Sequence, residues 1–92
     1  MGLQILAGER VERRIAHILL KLADRVGRAE PEGVLITIPL SRQDLADMAG
    51  TTLETAIRTI SRFHAQGWVA TRRGGYLLIT APALLKQQAE PA

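Results

Sequence analysis

Between Ser41 and Gly67 the chain is punctuated by hydroxyl side chains and glycines in an order that leaves few folds open. Ser41-Arg42-Gln43-Asp44 opens a helix. The serine hydroxyl can accept the backbone N–H near Asp44, and the Asp44 carboxylate sits in the positive first turn. Leu45, Met48 and Ala49 supply that helix with an apolar side. Gly50 stops it, because glycine enters the left-handed conformation that ends a helix with little strain. Thr52 then caps a further helix that runs to about Gln66 and is stopped by Gly67. A short helix, a tight glycine turn and a capped helix in succession form a helix-turn-helix.

The flanking sequence adds a wing. Trp68-Val69-Ala70-Thr71-Arg72 and Tyr76-Leu77-Leu78-Ile79-Thr80 are strand-like runs joined by Arg73-Gly74-Gly75, whose glycines supply the positive backbone angles of a tight hairpin. Upstream, Val11, Ile15, Ile18 and Leu22 recur at helical spacing with Leu19 beside them. This predicts a helix over 9–26 with one stripe toward a core and Arg10, Arg13, Arg14, Lys21 and Arg25 off that stripe. Gly27 is its natural stop, 28–33 reads as a polar loop, and Val34–Ile38 reads as a strand bounded by Gly33 and Pro39. From Pro82, the run Ala83-Leu84-Leu85-Lys86 predicts a short closing helix that then frays. The expected fold is mainly α with small β: a winged helix-turn-helix with a three-helix core and a C-terminal β-hairpin wing.

Composition narrows the function classes. With 92 residues there is room for one small domain with one modest core. The absence of cysteine removes disulfides and zinc-thiolate sites and fits a reducing compartment. No apolar run approaches the roughly 20 residues that cross a bilayer, and the N-terminus lacks the basic region of a secretory signal. The expectation is a soluble cytoplasmic protein with no membrane partner. The net charge is +3. Its excess lies within residues 51–75, where Arg58, Arg62, Arg72 and Arg73 oppose Glu54 alone. Charge concentrated in this way is the footprint of polyanion binding, with a solvated charged face as the plain alternative. His17 and His64 have no partners at catalytic or metal-ligand spacing, so the chain does not read as an enzyme.

At 100° per residue, Ala56, Ile60 and Phe63 share one side of the helix that follows Thr52, while Glu54, Arg58 and Ser61 share the other. Arg62 lies near the polar set and Ile57 at its edge. This is the division a recognition helix needs: one stripe clamps it to the domain and the other reaches base edges. Arg58 can donate two hydrogen bonds to guanine O6 and N7, and Glu54 can accept from a cytosine amine. A carboxylate facing phosphates is otherwise a liability. An ordinary i,i+4 surface pair between Glu54 and Arg58 is the competing reading. Thr52 and Thr55 suit either capping or phosphate contact, and Arg72 and Arg73 either solvent or phosphate.

The stretch from Leu40 through Ser41-Arg42-Gln43-Asp44-Leu45-Ala46 and Gly50 to Thr52-Leu53-Glu54-Thr55-Ala56-Ile57-Arg58 resembles the helix-turn-helix of the Crp/Fnr superfamily of bacterial transcription regulators. The likeness extends to Glu12-Arg13-Arg14-Ile15-Ala16 and to the glycine-rich hairpin. It implies a double-stranded DNA operator as partner, with Glu54 and Arg58 reading bases; Ile57, at their edge, is expected to join them. It places Thr52 and Thr55 at phosphate-facing or supporting positions, and with DNA as partner Ser41, Arg42, Ser61, Arg62, Arg72 and Arg73 are expected on the backbone as well. It implies a homodimeric full-length protein that meets RNA polymerase. No cofactor is expected within this chain, since a sensor ligand would bind a separate N-terminal domain. Residues 1–8 would end an interdomain or dimerisation helix or form a leader, 9–86 would be the winged domain and 87–92 a flexible tail. Two positions depart from the family: Leu53 stands where the cyclic-AMP receptor branch has arginine, and Ile57 where the Fnr branch has serine. Leu53 is expected to pack, whereas Ile57 fits packing or thymine methyls equally. A winged helix used for protein contact is the alternative function; it predicts salt-insensitive binding and a dispensable Arg58.

Overall fold

The computed structural model describes the backbone of residues 2–90 and the side chains of residues 10–90. Helix α1 (Gly2–Val26) leads into β1 (Gly27–Glu30) and β2 (Gly33–Ile36). The helix-turn-helix follows as α2 (Arg42–Ala49) and α3 (Leu53–Ala65), then the wing as β3 (Val69–Arg72) and β4 (Tyr76–Ile79), and α4 (Pro82–Ala89) closes the chain. The expected mainly α winged helix-turn-helix is the observed fold, with a larger sheet than the lone wing. All four strands form one antiparallel sheet in the order β1-β2-β4-β3.

Strand β1 replaces the polar loop expected over 28–33. It pairs with β2 from Gly27↔Ile36 to Glu30↔Gly33. Its residues are largely exposed, so no apolar alternation marks it. Backbone pairing to β2 holds it in place, and charged side chains suit an edge strand because they discourage pairing with other chains. Helix α1 begins well before Glu9 and runs unbroken through the segment read as the end of another helix. At the other end, 87–89 belong to α4 rather than to a flexible tail, because Ala89 packs on the core. Residues 91–92 of that tail lie outside the described residues.

The core gathers one face from every layer. Ile15, Ala16 and Leu19 come from α1, and Ala56, Ile60 and Phe63 from α3 as expected. Leu45, Ala46 and Ala49 come from α2. Ile36, Val69, Leu77 and Ile79 line the inner face of the sheet, and Leu85 enters from α4. Several side chains expected inside sit elsewhere. Met48 is 50% exposed, because α2 turns Ala46 inward in its place. Ile18 and Leu22 border the core instead of filling it, since the buried stripe of α1 centres on Ile15 and Leu19.

Local chemistry fixes the helix-turn-helix. Ser41 Oγ accepts from Asp44 N at 2.9 Å and Asp44 Oδ2 accepts from Ser41 N at 2.9 Å, a reciprocal capping box. Gly50 adopts φ 66°, ψ 42°, and Thr51 N reaches back to Ala46 O at 2.9 Å, which closes α2 with a Schellman turn. Thr52 Oγ1 then accepts from Thr55 N at 3.2 Å as the cap of α3. Arg14 of α1 donates from Nε to Ala49 O at 3.0 Å, placing a cation at the C-terminal end of α2 where the helix dipole favours it. Ser41→Ala is expected to lower stability by about 1 kcal/mol through loss of this cap, measured as a reduced urea midpoint at unchanged slope.

Candidate nucleic-acid interface

Helix α3 is held from behind and open in front. Its inward face carries Ala56, Thr59, Ile60 and Phe63, all buried. At 100° per residue the outward face divides into three strips. Leu53 and Ile57 form one flank, Glu54 and Ser61 the middle, and Arg58 and Arg62 the other flank. Glu54, Ile57, Arg58, Ser61 and Arg62 are all exposed. Among the described residues, Glu54 and Arg58 form no ion pair with each other, so the i,i+4 surface pair is not what places them. Glu54 lies in the first turn of α3, where the dipole favours its charge. Leu53, expected to pack, is instead 42% exposed, and Ile57 is 45% exposed.

The remaining arginines are differently engaged. Arg62 reaches Glu12 of α1 at 3.3 Å, yet its own side chain stays 63% exposed. Such a surface pair contributes under about 1 kcal/mol, enough to orient a guanidinium but not to withhold it from a phosphate. Arg42 donates to Thr71 Oγ1 of the wing at 3.3 Å. Arg72 pairs with Glu32 of the β1–β2 turn at 3.3 Å. Because β4 and β2 lie between β3 and that turn, this bridge draws Arg72 across the sheet and away from the wing tip. Arg73 is exposed and makes no side-chain hydrogen bond or ion pair among the described residues. It is the free charge of the wing.

The hydroxyls serve the backbone first. Ser41 Oγ acts as an acceptor in its cap, which leaves its O–H able to donate outward. Thr52 donates to Thr55 Oγ1 at 2.9 Å while accepting from Thr55 N, so these two threonines form one cap and Thr55 is half-buried.

The wing is docked to the entry of α2. Gly74 (φ 89°) and Gly75 (φ 85°) take the positive angles the hairpin needs, and Leu40 N donates to Gly75 O at 2.9 Å. With the Arg42–Thr71 contact, this ties the wing tip to the helix-turn-helix, so the two elements present their charges together. Four contributors escape sequence reasoning: Glu12 and Arg14 on α1, Glu32 in the β1–β2 turn and Thr71 on β3. Each acts across the fold on a partner distant in sequence, and no local pattern marks them.

Among the described residues, no His, Asp and Glu cluster is placed to hold a metal, and no helix is long and apolar enough to cross a membrane.

Known proteins share this sequence pattern and fold. Residues 13–88 match the Crp-like helix-turn-helix domain. The nitrogen fixation regulation protein FixK of Bradyrhizobium diazoefficiens is 33% identical over 76 residues, covering 82% of this chain and 32% of the relative. The transcriptional activatory protein AadR of Rhodopseudomonas palustris is 35% identical over 63 residues, covering 67% of this chain and 26% of the relative. Among solved structures, the CO-dependent transcription factor CooA from Carboxydothermus hydrogenoformans superposes with a TM-score of 0.81 at 25% identity, covering 86% of this chain and 36% of that one. FixK2 from Bradyrhizobium japonicum superposes with a TM-score of 0.73 at 28% identity, covering 89% and 39%. The chain thus spans about a third of the length of the curated relatives it matches.

Proposed function

Because the chain belongs to the Crp-like helix-turn-helix family, a DNA-binding module of bacterial transcription regulators, we propose that it binds a double-stranded operator sequence-specifically through α3 in the major groove. The wing lies along the phosphate backbone. One observation carries this reading: Glu54 and Arg58 stand one turn apart on the outward face of a helix whose opposite face is buried, paired neither with each other nor with any other described side chain. Arg58 donates to guanine and Glu54 accepts from cytosine. Ile57 completes the base-reading set. Ser41, Arg42, Thr52, Thr55, Ser61, Arg62, Arg72 and Arg73 serve the backbone. Of these, Arg73 and Arg62 contribute most, since Arg72 must leave Glu32 and the threonines serve mainly as a cap.

Two copies on a near-palindromic site place their α3 helices in successive major grooves, roughly 34 Å apart. The full regulator works as a cytoplasmic homodimer that contacts RNA polymerase, and any sensor ligand binds outside this chain. The test is fluorescence anisotropy of the domain against duplexes with varied half-sites at two salt concentrations. Selective, salt-dependent binding supports the reading. Salt-insensitive or sequence-blind behaviour, in an artificially dimerised form as well, sinks it and points to a protein partner. In the same assay, Arg73→Ala is expected to weaken all duplexes alike and to reduce the slope of log K against log salt by about 1 per half-site.

A further inference from the structure

Two large apolar side chains on α3 face solvent with no structural reason to do so. Leu53 and Ile57 are 42% and 45% exposed, and neither is among the buried residues of the core. They are one helical turn apart, so they form a single apolar ridge. Isoleucine is also a poorer helix former than the arginine, lysine or alanine that an exposed helix position usually favours. Stability and solubility would both be served better by a polar pair. The ridge runs beside the Glu54 and Ser61 strip, with Arg58 and Arg62 on the far side of the same face. Whatever covers it must therefore be apolar at this spot and anionic close by.

The major groove of DNA has that combination. Its phosphates are anionic, and the one apolar group it presents at a base edge is the C5-methyl of thymine. We infer that Ile57, with Leu53 beside it, reads a thymine C5-methyl next to the base pair read by Glu54 and Arg58. This rests on the DNA-binding reading above and deepens it by naming what the apolar flank recognises. Ile57, β-branched and therefore held in one rotamer within a helix, presents a fixed methyl surface. Specificity at that base pair then comes from shape and water exclusion rather than from a hydrogen bond.

The test begins with the duplex that the domain binds best in the half-site screen. Each thymine is replaced singly by deoxyuridine, which removes the methyl and leaves base pairing intact. Binding of wild type, Ile57→Ala and Leu53→Ala is compared by anisotropy, with circular dichroism confirming that these exposed substitutions leave the fold unchanged. At one or two positions deoxyuridine is expected to weaken wild type by about threefold to tenfold, the size set by burying one methyl group. The same replacement should be silent in Ile57→Ala. Indifference of the wild type to every deoxyuridine overturns the inference while leaving base reading by Arg58 intact. So does a loss that persists undiminished in both alanine variants. If no duplex is bound selectively at all, the DNA reading and this inference fall together.

Discussion

Arg58→Ala is expected to abolish discrimination at one base pair per half-site while leaving the fold intact. A bidentate arginine–guanine contact contributes about 1–3 kcal/mol, which is about 5- to 150-fold in affinity for one half-site. Two half-sites engaged together compound this to at least about 25-fold on a palindrome. The side chain is exposed and makes no ion pair or side-chain hydrogen bond among the described residues, so its removal leaves no buried group unsatisfied. Thermal unfolding of the variant should therefore match wild type. Two controls separate base reading from mere charge. Affinity for random-sequence duplex should fall far less than affinity for the operator. Arg58→Lys should fail to restore discrimination, because an ammonium cannot reproduce the planar two-pronged donor geometry. Equal losses on operator and random duplexes would reassign Arg58 to the phosphates.

Phe63→Ala is expected to remove about 3–5 kcal/mol of stability, the usual consequence of deleting a fully buried aromatic side chain. Phe63 is wholly buried on the inner face of α3, and its ring lies 5.4 Å from that of Trp68 with a 47° tilt. Its carbonyl also accepts from Trp68 N at 2.9 Å, so the same residue joins α3 to the start of the wing. Domains in general are stable by only about 5–15 kcal/mol, so the loss is a large share of the total. The melting temperature should drop by at least about 12 °C for a chain of this size. Trp68 is the sole tryptophan, so its fluorescence reports the packing directly. A drop of less than about 5 °C would mean that neighbouring side chains close the cavity and that the α3–wing junction does not depend on this ring.

Much of this architecture was legible because it is written in local chemistry. The caps at Ser41 and Thr52, the stop at Gly50 and the Gly74-Gly75 turn each depend on a few consecutive residues, and each forms as expected. The inward face of α3 followed from helical period alone. Strand β1 was not legible, since an edge strand of Gly27-Arg28-Ala29-Glu30 buries almost nothing and exists only because β2 offers it a backbone to pair with. Met48 and Leu53 stand outside the core for a related reason. Hydrophobicity marks a residue as able to be buried, but the packing angle of each helix decides whether it is. In α2 the smaller Ala46 takes the inward position, and at the start of α3 Leu53 stays 42% exposed.

The sequence by itself thus determined the helix-turn-helix and its wing, the two caps, the turn geometry and the outward placement of Glu54 and Arg58, all set by interactions within about one helical turn. Tertiary structure alone decided which arginines remain free. Glu12 orients Arg62, Glu32 draws Arg72 across the sheet, Thr71 takes Arg42, and Arg73 at the wing is left unpaired among the described residues. It also decided that Leu53 and Ile57 stand exposed beside the polar strip. Charge pairing and burial are pairwise in space, between residues far apart in the chain, and only the closed fold brings those pairs together.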